Sequence, residues 1–125
     1  MRSSLRILFF LLFGLLGAVQ AQAHAFLEHA DPPVGGKVNS SPTEVRIWFT
    51  EGVEPAFSTI QVFDVAGREL DKKDTHRDPS NPSLLQVSLP SLGPGTYKVV
   101  WHVVSVDTHV TKGDFKFQIL GKPQR

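Results

Sequence analysis

From Thr43 to Leu120 the apolar residues recur at every second position, and glycine, proline and aspartate cut the pattern into short lengths. Alternation of period two places one apolar face along an extended chain, so the pattern specifies strands and not helices. Thr43 to Thr50 shows it cleanly, with Val45, Ile47 and Phe49 on one face and Glu44, Arg46, Trp48 and Thr50 on the other. Thr59 to Asp64 is a second strand, closed by a turn around Ala66-Gly67, and Ser83 to Leu89 is a third, followed by the turn-rich stretch Pro90 to Gly95. Thr96 to Ser105 is the longest and apolar on both faces, which predicts a central strand. The last runs from about Asp114 to Leu120 and buries Phe115, Phe117 and Ile119. A strand near Ala25 to His29 and a short one around Arg68 to Lys72 bring the number to six or seven. The polar segment Asp71 to Pro82, which carries two prolines, reads as an exposed loop. Strand number, spacing and length predict an all-β domain, an antiparallel Greek-key sandwich or barrel.

The first residues follow a different rule. Arg2 and Arg6 precede an apolar run from Ile7 to Val19, and Ala21-Gln22-Ala23 follows it. A basic region, a short apolar core and a small-x-small triplet make a secretory leader cut after Ala23, and the run is too short to span a bilayer comfortably. The expected division is therefore a signal peptide over residues 1–23 and one exported domain over residues 24–125, with no stable membrane anchor after cleavage. That length suits a single core.

Composition then removes several classes of function. Loss of Arg2 and Arg6 from the 13 basic residues leaves a near balance with the 12 acidic ones, which does not suit a nucleic-acid partner. There is no cysteine, so disulfides, thiolate metal sites, a cysteine nucleophile and a lipoprotein anchor are excluded together. The single methionine, Met1, belongs to the leader. Any metal held by the mature chain must take nitrogen and oxygen donors.

A histidine at a freshly cut N-terminus is an unusual donor. The α-amine of His24 and its own imidazole can close a chelate ring on one ion, giving two nitrogens from one residue. Asp107 and His109 lie two apart at the end of the long strand, so in extended geometry a carboxylate and an imidazole project to the same side. Amine, two imidazoles and a carboxylate form a tetragonal nitrogen and oxygen set, which points to copper(II) and next to nickel(II). An Asp-x-His triplet alone is common, and a hydrogen-bonded turn explains it equally well. His29 reads as a surface residue or one that supports a ligand, His102 as a packed histidine held by a hydrogen bond, and His76 as solvated in the charged loop.

Six stretches sharpen this reading: His24-Ala25-Phe26-Leu27; Asp31-Pro32-Pro33 with Gly35-Gly36; Ile47-Trp48-Phe49-Thr50-Glu51; Gly93 to Trp101; Val104-Ser105-Val106-Asp107-Thr108-His109; and Gly113-Asp114-Phe115-Lys116-Phe117. On these the chain resembles the CopC family of periplasmic copper-binding proteins from His24 to Leu120. The resemblance implies an immunoglobulin-like Greek-key barrel in the periplasm that binds Cu(2+), with His24, Asp107 and His109 as ligands. It also implies a carrier or buffer, a monomer that passes copper to a CopD-like inner-membrane protein. Some members add a glutamate, which maps to Glu51 as a ligand or as a hydrogen-bond partner of one. Members with a copper(I) site carry a methionine-rich loop that this chain lacks, so one copper(II) site is expected. Many relatives have proline at the second mature position, where Ala25 stands. Two other readings compete with a non-enzymatic carrier: an oxidative copper enzyme whose terminal histidine grips the metal, and an immunoglobulin-like interaction module without metal.

Overall fold

The computed structural model describes residues 25–121. Its elements in chain order are β1 (Leu27–Asp31), β2 (Lys37–Val38), β3 (Glu44–Phe49), a 3-10 turn (Pro55–Phe57), β4 (Thr59–Phe63), β5 (His76–Arg77), β6 (Leu84–Ser88), β7 (Gly95–Val104) and β8 (Val110–Ile119). They form two four-stranded sheets, ordered β1-β3-β6-β5 and β2-β8-β7-β4. Every pairing is antiparallel except that of β2 with β8. The all-β two-layer expectation holds; β3, β4, β6 and β7 lie where the alternation places them, while β8 already begins at Val110 and the short β2 was not foreseen. The expected signal peptide and His24 fall outside the described residues.

Period-two burial generates the core directly. Val45, Ile47 and Phe49 of β3 and Leu85 and Val87 of β6 face Ile60 and Val62 of β4, Tyr97, Val99, Trp101 and Val103 of β7, and Phe115, Phe117 and Ile119 of β8. Phe117 is 1% exposed and stacks on Tyr97 at 5.6 Å, while Phe49 meets Trp101 edge-on at 5.3 Å. Such aromatic pairs add to the gain from burial. The Tyr97 hydroxyl donates to the Gly93 carbonyl at 2.6 Å and so ties the turn before β7 to the core.

Three expectations need correction. The second face of β7 is not packed: His102 is exposed, because β7 is central within its sheet but that sheet presents its outer face to solvent. The segment 71–82 is not wholly an exposed loop. Asp71 is buried and accepts the amides of Val62 (2.8 Å) and Lys73 (3.2 Å), and His76–Arg77 pairs with β6 as an edge strand. Around Arg68 to Lys72 there is a single bridge, Phe63 to Glu69, rather than a strand.

One irregularity positions the segment around β1. Along β1, Leu27 pairs with Phe49 but His29 pairs with Trp48, so Glu28 is an extra residue in the ladder. Strict alternation would put Leu27 and His29 on one face. The bulge lets Leu27 turn inward beside Phe49 while His29 turns outward and stacks on Trp48 at 4.3 Å. It likewise brings Ala25 to full burial.

Candidate metal centre

β7 and β8 form a hairpin whose last pair is Val104 with Val110, leaving Ser105 to His109 as the connection. The connection folds back on itself: the Ser105 amide donates to the His109 carbonyl (2.9 Å), and the Thr108 amide to the Ser105 carbonyl (2.8 Å). Thr108 takes φ +73, the left-handed conformation that lets so short a loop close. Segment 52–54, which follows β3, then clamps the loop. Ser105 bridges Val53, the Val106 amide donates to the Gly52 carbonyl (3.0 Å), and the Glu54 amide donates to the Val104 carbonyl (2.8 Å).

Within this loop the structure brings two of the four expected ligands together. His109 Nδ1 stands 3.3 Å from Asp107 Oδ2, and the two side chains are 51% and 35% exposed. The pair can therefore share a proton or a cation arriving from solvent. The Ser105 hydroxyl donates to Asp107 Oδ1. That bond, followed by the neighbouring His109, holds the Asp107 carboxyl below its ordinary pKa. The group is thus an anionic donor throughout the neutral range.

The Ala25-Phe26 segment is fixed next to this pair. Thr111, two residues beyond His109, donates its hydroxyl to the Ala25 carbonyl at 2.6 Å. On the other side the Phe26 amide donates to Thr50 Oγ1 (2.9 Å), and the Thr50 amide donates to the Phe26 carbonyl (2.8 Å). Glu51 follows Thr50, and its Oε2 is buried without a hydrogen-bond partner among the described residues. A buried carboxylate oxygen in that condition calls for a donor or a cation.

Among the described residues no group of three or more histidine, cysteine, aspartate or glutamate side chains is placed to hold a metal ion. Glu51 therefore does not join Asp107 and His109 in such a cluster. The fit to a metal is that of a half-site: two adjacent nitrogen and oxygen donors, solvent access and an ionised carboxylate. His29, His76 and His102 are exposed and lie elsewhere; the His76 ring nitrogen Nδ1 meets the Asp74 carbonyl at 2.8 Å. Residue patterns gave no warning of Ser105, Thr50 and Thr111 as the groups that shape the centre. Each is a small hydroxyl residue at a strand end, where side chains bond to backbone and polar neighbours.

A sandwich of two four-stranded sheets, with an Asp-His pair on one hairpin and the Ala25-Phe26 segment pinned alongside, defines an immunoglobulin-like β-sandwich with a candidate metal centre at one end. The chain belongs to the CopC family: the CopC domain matches residues 27–120. Protein YobA of Escherichia coli K12 is 39% identical over 98 residues, covering 78% of this chain and 79% of that protein. Copper resistance protein C of Pseudomonas syringae pv. tomato is 31% identical over 112 residues, covering 85% and 88%. The crystal structure of CopC from Methylosinus trichosporium OB3b superposes with a TM-score of 0.76 at 31% identity, over 82% of this chain and 99% of that one.

Proposed function

We propose that this protein is an exported copper(II) carrier or buffer that binds one ion through the α-amine and imidazole of His24 together with Asp107 and His109. The observation that carries the reading is the pairing of His109 Nδ1 with Asp107 Oδ2 at 3.3 Å, beside the segment anchored at Ala25. The names of relatives, among them a copper resistance protein, support the choice of metal. So does the donor set, since nitrogen and oxygen ligands without sulfur suit copper(II) best among the common divalent ions. Glu51 then acts as the buried acceptor that steadies the terminal amine. Cleavage after Ala23 creates the site by freeing that amine, and the exported product resides in the periplasm. Copper is cargo here, to be stored or handed to a CopD-like membrane protein. The carboxylate takes a coordination position that oxygen chemistry needs open, which favours binding over turnover.

The test combines the intact mass of the exported protein with copper(II) titration. A mass corresponding to residues 24–125 and uptake of one copper(II) are expected. One extra residue ahead of His24 breaks the chelate ring and should weaken binding by at least about 100-fold, equivalent to about 2.7 kcal/mol. Equal affinity of the extended form would reduce His24 to an ordinary imidazole ligand. A native protein that takes up no copper(II), or prefers zinc at equal concentration, would overturn the proposal.

A further inference from the structure

Ser105 is fully buried at the foot of the hairpin connection, yet its hydroxyl is the hub of that connection. Its Oγ bonds Asp107 Oδ1, receives the His109 amide at 3.3 Å and lies 3.3 Å from the His109 carbonyl. The Ser105 backbone adds the bond to the His109 carbonyl and the bridge to Val53. One side chain therefore touches both donor residues while standing too deep to reach an ion in solvent. Its effect on Asp107 is asymmetric: one carboxylate oxygen is occupied by the hydroxyl and the other faces the His109 ring.

We infer that Ser105 is a positioning residue that confines Asp107 to ligation through one oxygen, Oδ2, and so favours copper(II) over ions able to recruit both. The inference rests on the proposed copper site. The two oxygens of one carboxylate subtend an angle at a metal far below the right angle between neighbours in a square plane, so two-oxygen binding distorts a tetragonal site. Zinc(II), which has no d-electron preference for a square plane, tolerates it more readily. A hydroxyl donor on Oδ1 removes that option, and it does so while the backbone bonds of the same residue hold His109 in register. Groups that hold ligands in this way are typically worth about 10 to 100-fold in metal affinity.

The test uses the mature exported protein and the variants S105A and S105T, with copper(II) and zinc(II) affinities measured by chelator competition and the copper(II) paramagnetic resonance spectrum recorded for each. S105A should bind copper(II) about 10-fold or more weakly, lose less zinc(II) affinity so that the ratio narrows, and show an altered resonance spectrum. S105T, which keeps the hydroxyl, should restore the native spectrum and ratio. A general loss of fold would lower both affinities together, so an unchanged copper-to-zinc ratio and spectrum in S105A would overturn the inference. Should S105A not fold, the copper-loaded native crystal structure decides. Oδ2 alone at bonding distance, with Oδ1 still on Ser105, upholds the inference, and both oxygens on the metal sink it. Failure of the native protein to bind copper(II) at all would be a failure of the function proposed above, separate from these outcomes.

Discussion

Gly113 offers a sharp trial of the packing argument, because intrinsic preference and local sterics predict opposite signs for its replacement by alanine. Glycine inside a strand costs conformational entropy, so on preference alone G113A should stabilise by up to about 1 kcal/mol. In the structure an alanine Cβ at this position would lie 2.5 Å from Trp101 Cζ2, 2.9 Å from Cε2 and 3.2 Å from Nε1. Carbon atoms in good contact stand about 3.5 to 4.0 Å apart, so the indole must move by about 1 Å. Retreat is blocked on the core side, where Trp101 meets Phe49 at 5.3 Å and is only 7% exposed. Overpacking of this kind costs about 1 to 3 kcal/mol. For a domain of this size that corresponds to a fall in Tm of about 5 to 15 °C. Urea unfolding followed by tryptophan emission measures it, with an unchanged m value as the sign that only stability has moved. W101F removes the atoms that clash, so the double variant should recover part of the loss, with a coupling of about 0.5 to 3 kcal/mol. A G113A protein as stable as the native one, or strict additivity with W101F, would refute the steric account.

Two further outcomes test the frame of the molecule. Y97F keeps the ring stacked on Phe117 but deletes the bond to the Gly93 carbonyl, and should cost about 0.5 to 1.5 kcal/mol in urea unfolding; no loss would mean that the bond does not tie down the turn. Acid stability follows from carboxylates held below their ordinary pKa: Asp64 by the Arg68 amide, Asp74 by Ser88 and Asp78 by the Ser80 hydroxyl. A folded pKa below the unfolded value of about 3.9 contributes stability that is fully present above that value and is lost as pH falls through the folded pKa. The urea midpoint of the metal-free protein should therefore hold level from pH 7 to about 5 and drop below about 4. A decline that begins between pH 6 and 7 would assign the loss to histidines instead.

The strands were legible because sheet burial has the same period as the side-chain alternation. Val45, Ile47 and Phe49 could face only one way once their strand was granted. What alternation could not convey was a change of phase. The extra residue at Glu28 separates the faces of Leu27 and His29, and it arises from the pairing with β3, not from anything local to β1. For a similar reason His102 was misread: the apolar neighbours Val100 and Val104 suggested a covered face that the two-layer stacking leaves open. At the centre, Asp107 and His109 were legible from spacing and do converge. The roles of Ser105, Thr50 and Thr111 were not, because a hydroxyl bond across the molecule leaves no periodic trace. Asp71 escaped for the same reason, its charge suggesting solvent while its oxygens were needed by the Val62 and Lys73 amides.

The bond between Thr111 and Ala25 joins positions 86 residues apart, and it ties the segment ahead of β1 to the start of β8. Contacts of such sequence separation form late, after the chain has met the entropy of closing the loop between them. In a chain not yet folded, Asp107 and His109 can meet only each other, and the Ala25 segment is nowhere near them. The neighbourhood of Asp107, His109 and the anchored Ala25 segment comes into being only when the molecule is finished.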